Sequence, residues 1–334
     1  MGIFAQLIRR RPRTLSTWQA ESDDVLPRVA PPPIHQPAQS LSVFEVDAPL
    51  DPIPLGIGLD GVVSWDPQGR SGLQVVGGTG SGTSEFNWAM IEQCRTRGWR
   101  VLIADGFGPE FVGFRGTANV SYVSDVCIDG EVRFGDYLTT VQLAHSIVTR
   151  RREASRHSGR GEGFAPLLLV LGEVAGPMSY WQHGGYTEQY RQVHTMVDDL
   201  LCAEPELRCY VLISPASGWE WRLPWSTATR CDTVMLGKPE RPYLAHCSDP
   251  AATLEAVKAA LGTTSWIPRG RGAFLSANHS IPNPVVFQSF LTPNPCSDFS
   301  RHPYPPDITT QWEQFRAAVS DKTPALHPQL FPGS

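Results

Sequence analysis

The chain has 334 residues, a formal net charge of −5 and a sequence pI near 6.0, which excludes a global basic field for nucleic acid and leaves any such contact to local patches. Hydrophobic residues make up 41%, enough to bury a sizeable core in one large domain with arms. No apolar run approaches the roughly 18 residues of a membrane-spanning helix and no secretory leader opens the chain, so no integral membrane segment is expected and the expected location is cytoplasmic. The seven cysteines (Cys94, Cys127, Cys202, Cys209, Cys231, Cys247 and Cys296) form no CxxC pair. They read as reduced thiols, several in the core, rather than as disulfides or a zinc site.

In chain order, residues 1–50 read as an arm. Ile3–Ile8 fits one short helical turn beside Arg9, Arg10, Arg11 and Arg13, a basic run of the kind that touches nucleic acid, and Pro31, Pro32 and Pro33 favour polyproline II. Residues 51–290 alternate between apolar runs and helical periodicity. Leu73–Gly77 reads as a buried strand. Phe86, Ala89, Met90 and Cys94 give a helix over Thr83–Arg97. Strands are predicted at Arg100–Ala104, Val120–Val123, Pro166–Leu171, Cys209–Ile213, Thr233–Leu236 and Ala273–Leu275. Helices follow from Tyr137, Val141, Ala144 and Val148, from Tyr190, Val193, Val197, Leu200 and Leu201, and from Leu254, Val257 and Leu261. Residues 291–334 form a Pro-rich tail with one helix predicted at Thr310–Val319. Continuous apolar strands separated by helices imply an α/β fold, a mostly parallel sheet with helices on both faces. Ligands of such sheets sit at the carboxyl ends of the strands.

After the first core strand comes Gly77-Gly78-Thr79-Gly80-Ser81-Gly82-Thr83-Ser84. This fits the phosphate-binding P-loop pattern at Gly77, Gly82 and Ser84, between a strand and a helix, but Thr83 stands where the lysine belongs. Backbone amides and a helix N-terminus can wrap phosphate without that lysine. Ser84 can still offer its hydroxyl to Mg²⁺, whereas the charge on the β- and γ-phosphates of ATP is lost. After the strongest strand, Leu167–Leu171, come Gly172 and Glu173. The first is the position of a metal-holding acid; the second is a carboxylate able to orient water as the catalytic base.

In order and spacing these segments resemble the FtsK/SpoIIIE family of RecA-like P-loop ATPases. GGTGSGTSEF (Gly77–Phe86) is similar to the family's GATGSGKSEF, and RVLIADGFGPE (Arg100–Glu110) to its LLIDPKGGE, with Asp105 at the acid. LLLVLGEVA (Leu167–Ala175) resembles VVVIDEFA, and RCYVLISPAS (Arg208–Ser217) resembles HLVLATQRPS. Gly270-Arg271-Gly272 resembles the turn before the closing strands. The resemblance covers about residues 53–290. It implies a RecA-like P-loop NTPase core that uses ATP and Mg²⁺, double-stranded DNA as the partner, and assembly with itself or active homologues in a hexameric ring. Relatives in secretion machines imply a peptide-binding adaptor as the alternative. The departures are Thr83, Gly172 and, at the sensor Gln-Arg, Pro215 and Ala216. They imply weak or absent hydrolysis.

Two further features stand out. GWEWRLPW (Gly218–Trp225) is an aromatic loop, either a partner surface or a packed cover. Arg150, Arg151 and Arg152 are predicted to close a helix before the Ser155–Gly163 loop. There they either balance the helix dipole or reach a neighbour's phosphates. Lys238 or a neighbour's Arg remains a candidate substitute for the missing lysine.

Overall fold

Alternate residues of the run Leu167–Gly172 enter two different hydrophobic layers. Leu167, Leu169 and Leu171 join one, and Leu168 and Val170 the other. This is the signature of a strand buried on both faces. The computed structural model describes residues 50–106, 110–124, 127–128, 131–132, 134–158, 164–215, 230–240, 244, 249–262, 267–277 and 283–290. The arms, the helix expected at Thr310–Val319 and the Gly218–Trp225 loop lie outside them.

The strands are β1 (Ile53–Gly58), β2 (Gly61–Trp65), β3 (Gly72–Gly77), β4 (Arg100–Asp105), β5 (Val120–Val123), β6 (Cys127–Ile128), β7 (Glu131–Val132), β8 (Leu167–Gly172), β9 (Cys209–Ser214), β10 (Cys231–Leu236), β11 (Arg271–Leu275) and β12 (Val285–Ser289). Ten form one sheet in the order β2-β1-β12-β11-β10-β3-β9-β8-β4-β5. The six from β10 to β5 are parallel. The other four extend the sheet by antiparallel pairing. The short hairpin β6–β7 stands apart.

The helices are α1 (Thr83–Thr96), α2 (Gly135–Ser158), α3 (Ala175–His183), α4 (Thr187–Leu201) and α5 (Pro250–Leu261). Helix α1 seats Phe86, Met90, Ile91 and Cys94 among Leu73, Val75, Val101, Ile103, Leu168 and Val170. Helices α2 and α4 cover the opposite face, where Tyr137, Val141, Val148, Val197 and Leu200 meet Leu102, Leu167 and Leu169. A third cluster joins Val257 and Leu261 of α5 to Val76, Met235 and Ala273. Helix α5 is capped by Asp249, whose carboxylate accepts from the amides of Ala251 (3.1 Å) and Ala252 (3.0 Å), with Pro250 in the first turn. Cys94, Cys209 and Cys231 are buried thiols outside any disulfide, and burial pushes each up to about 12. No helix among the described residues is long and apolar enough to cross a membrane.

One expectation is corrected. Arg150–Arg152 do not close their helix, because α2 runs on to Ser158. Arg151 is 8% exposed. It donates to the carbonyls of Leu207 (2.7 Å) and Ala165 (2.7 Å) and lies over the ring of Phe164. It ties α2 to the entrances of β8 and β9 and cannot serve a neighbour's phosphates. Arg152 is held by Asp199 and Glu204 on the same face.

Candidate functional site

The parallel strands deliver their last residues to a common edge. Gly77 of β3 is in register with Leu236 of β10, and Asp105 of β4 with Gly172 of β8, itself paired with Ser214 of β9. The segment Gly77–Ser84 leaves this edge from near the middle of the sheet and runs straight into α1.

The turn is shaped by close approach. A Cβ at Gly77 would lie 2.4 Å from Ser81 Oγ and 2.7 Å from the carbonyl of Leu236, so only glycine lets the loop fold back on its strand. Gly80 and Gly82 have φ of 82° and 102°, in the left-handed region open to glycine. The amide of Ser81 closes the turn on the carbonyl of Gly78 at 3.0 Å, and Phe86 starts the helix on Gly82 at 2.9 Å. Gly82 caps α1 without any side-chain hydrogen bond, in contrast to Asp249 on α5. The positive end of a 14-residue helix therefore opens onto the loop. Nothing lies within 4 Å of a Cβ built on Gly80, and Ser81 Oγ is buried without a partner. The cradle thus fits a phosphate group. Thr79 sits on its exposed rim and Gly78 is partly buried. Thr83 turns its methyl toward Gly77, 3.1 Å from the Cβ position there, and brings no charge.

A cation reaches the loop from elsewhere. The turn before β11 docks on it through Gly270, whose amide donates to Ser81 O at 2.7 Å. Arg269 runs past Gly82, with Cγ 3.4 Å from that residue's Cβ position. Its Nε stands 3.4 Å from Glu85 Oε2, with the side chain 55% exposed. Motif reading passes over Arg269, because it lies almost 190 residues downstream of the loop. Lys238, the sequence-based candidate, is exposed just beyond the end of β10.

Acids gather on the other side. Glu173 adopts φ 45°, rare for a residue with a side chain. Its carboxyl is half-buried and held above the usual carboxylate range by burial and then by the charge of Asp105. Asp105 is fully buried and accepts the amide of Phe111 at 3.1 Å. Glu110, unassigned by the motifs, hydrogen-bonds Ser84. Burial, followed by the charges of Asp105 and Glu173, pushes its carboxyl up to about 7 against the pull of that bond. Gly172, where the resemblance leads one to expect an acid, has no room for a side chain, since a Cβ there would lie 2.5 Å from Cε2 of Phe111. Pro215 follows β9, and Ala216 lies outside the described residues.

No family profile matches the chain, and no curated protein does. Solved structures do. The pCW3 conjugation coupling protein TcpA, in monomer form with ATPγS, superposes with a TM-score of 0.57 at 16% identity, over 82% of this chain and 73% of its own. The cytoplasmic domain of the Thermomonospora curvata type VII secretion ATPase EccC gives 0.55 at 18% identity, over 88% of this chain but 34% of its own. EssC ATPases 2 and 3 from Geobacillus thermodenitrificans give 0.52 at 11% identity, over 89% and 55%. With its parallel sheet, P-loop turn and strand order, the chain has the RecA-like fold of FtsK/SpoIIIE-type P-loop ATPases.

Proposed function

We propose that the chain binds ATP with Mg²⁺ at Gly77–Ser84 and hydrolyses it slowly or not at all, acting as an FtsK-like subunit in DNA translocation or transfer. The observation that carries this reading is the glycine cradle at the mouth of β3, opening on the N-terminus of α1, which no side chain caps, while lacking a charged residue at position 83. Backbone recognition of the phosphates needs only that geometry. Hydrolysis needs charge placed on the transferred group, each such contact contributing several kcal/mol to the transition state. Thr83, Gly172 and Pro215 supply none. Gly77 to Thr83 would wrap the phosphates, Ser84 would face the cation, and Glu173 would stand nearest the attacking water. Bound Mg²⁺ would neutralise phosphate charge.

A ring formed with itself or with active homologues would let such a subunit act through its occupancy rather than its turnover. Two of the three structural relatives above are a type VII secretion ATPase and EssC, which favours, as a second reading, an adaptor that binds a peptide signal on the same core. The test is a titration of ATP with and without Mg²⁺, paired with a phosphate-release assay. Saturable binding without release is expected. Robust turnover would refute the inactive-subunit reading, and no binding at millimolar ATP would refute the nucleotide reading. DNA binding that weakens steeply with salt supports the translocation role; peptide binding without it supports the adaptor.

A further inference from the structure

We propose that Glu110 is the carboxylate that, with Ser84, holds a divalent cation on the bound nucleotide's phosphates, in place of the acid missing from position 172. The inference rests on the nucleotide reading above and adds the identity of the metal-side acid.

The exchange is visible as packing. Phe111 fills the space beside Gly172 that an acidic side chain would occupy, with Cε2, Cζ and Cδ2 between 2.5 and 3.4 Å from the Cβ position. The residue before it carries the carboxyl that hydrogen-bonds Ser84, the P-loop hydroxyl suited to the cation. Two anchors fix this pair. The amide of Phe111 donates to Asp105 Oδ2 at 3.1 Å, and the indole of Trp88 in α1 donates to the carbonyl of Glu110 at 3.0 Å. Asp105 is itself the ladder neighbour of Gly172. The acid has thus moved to the turn that follows the adjacent strand.

A separate observation points to a ligand here. Tyr137 is fully buried, and its hydroxyl has no hydrogen-bond partner. It lies within electrostatic reach of Asp105 and Glu173. A buried hydroxyl left without a partner near two carboxyls leaves a bonding place that a water of a hydrated cation could fill. Among the described residues no three His, Cys, Asp or Glu side chains converge as a complete metal-binding group. The cation would therefore arrive with the nucleotide, completing its shell from phosphate oxygens and water, the usual habit of Mg²⁺.

The experiment titrates a fluorescent ATP analogue into the full chain, into Glu110→Gln and into Ser84→Ala, each in Mg²⁺ and in EDTA. The readout is the ratio of the two Kd values, with melting curves confirming the fold. The parent is expected to bind about tenfold more tightly in Mg²⁺, and both variants to fall to a ratio near one. In EDTA, Glu110→Gln is expected to bind as well as the parent or better, having lost a carboxyl beside the phosphates. An EPR titration of Mn²⁺ with ATP should show a bound ion in the parent and none in Glu110→Gln. If Glu110→Gln does not fold, Glu110→Asp is read instead, where a reduced ratio supports the assignment and an unchanged one overturns it. A full ratio in Glu110→Gln, a ratio abolished by Glu173→Gln instead, or parent binding indifferent to Mg²⁺ overturns the assignment while leaving the nucleotide site standing. No binding by the parent in either buffer removes the nucleotide reading and the assignment with it.

Discussion

Replacing Gly172 with alanine places one methyl group 2.5 Å from Cε2 and 3.3 Å from Cζ of Phe111. Gly172 has no left-handed φ, so its backbone tolerates alanine. In an open site the substitution would stabilise the chain by about 0.4–1 kcal/mol through the unfolded state. The ring removes that gain. Phe111 is fully buried and cannot swing into solvent, so the contact must be relieved by off-rotamer shifts and backbone movement costing roughly 1–3 kcal/mol. Gly172→Ala should therefore be destabilising, and the sign itself is diagnostic. Urea unfolding should show a lower midpoint with an unchanged slope, and Tm should fall by about 2–4 °C per kcal/mol for a folded unit of this size. Phe111→Leu alone should cost about 1 kcal/mol. The double variant should cost less than the sum by about 0.5–3 kcal/mol, because trimming the ring makes room for the methyl. Additive effects, or an alanine variant as stable as the parent, would refute the claim that Phe111 stands where the acid was. Gly172→Asp, the obvious repair, should fail to restore turnover for the same steric reason.

Arg151→Ala strands two buried carbonyls, those of Leu207 and Ala165, and should cost roughly 2–4 kcal/mol of stability in urea. Arg151→Lys should recover less than half, since a single ammonium cannot span both acceptors; a neutral Arg151→Ala would contradict the structural role. Arg269→Ala should weaken ATP binding about three- to tenfold and lower Tm, because the Arg269 side chain is exposed but its partner Glu85 is buried and loses that pair. Unchanged binding would remove Arg269 from the site. Glu110 gives a pH signature in EDTA without nucleotide. Its carboxyl stands at about 7 in the folded chain against 4.5 for the free group, so between those values the unfolded chain releases a proton that the folded chain keeps. Stability falls as pH rises through that window, by on the order of 3 kcal/mol. Glu110→Gln should thus match the parent near pH 4.5 and exceed it at pH 8, as read from melting curves at both values. Parallel pH profiles would rule this out.

The six parallel strands were legible because each is a short stretch dominated by apolar residues, and Leu167–Leu171 shows it most clearly. The antiparallel margin was harder to read. β2 (GVVSW) and β12 (VVFQS) mix polar and apolar residues at the edge of the core, and α3 opens on Ala-Gly-Pro, residues that give no helical periodicity. The P-loop turn was readable as a motif because its glycines are consecutive in the chain. Glu110 and Arg269 were not, since each comes to the loop through folding: Glu110 by way of Phe111 and Trp88, Arg269 by the docking of Gly270 on Ser81. Arg151 misled for the converse reason. Three successive arginines read as the charged end of a helix or a phosphate contact until the carbonyls of Leu207 and Ala165 converge on the middle one.

The bond from the Trp88 indole to the carbonyl of Glu110 gives the chain an optical probe of its own. Trp88 is 8% exposed, so its emission should be blue-shifted, and a cation and nucleotide arriving beside Glu110 should alter its intensity by changing the field around the ring. A difference spectrum between the parent and Trp88→Phe would isolate that signal from the other nine tryptophans. Occupancy of the loop could then be followed in real time without any label.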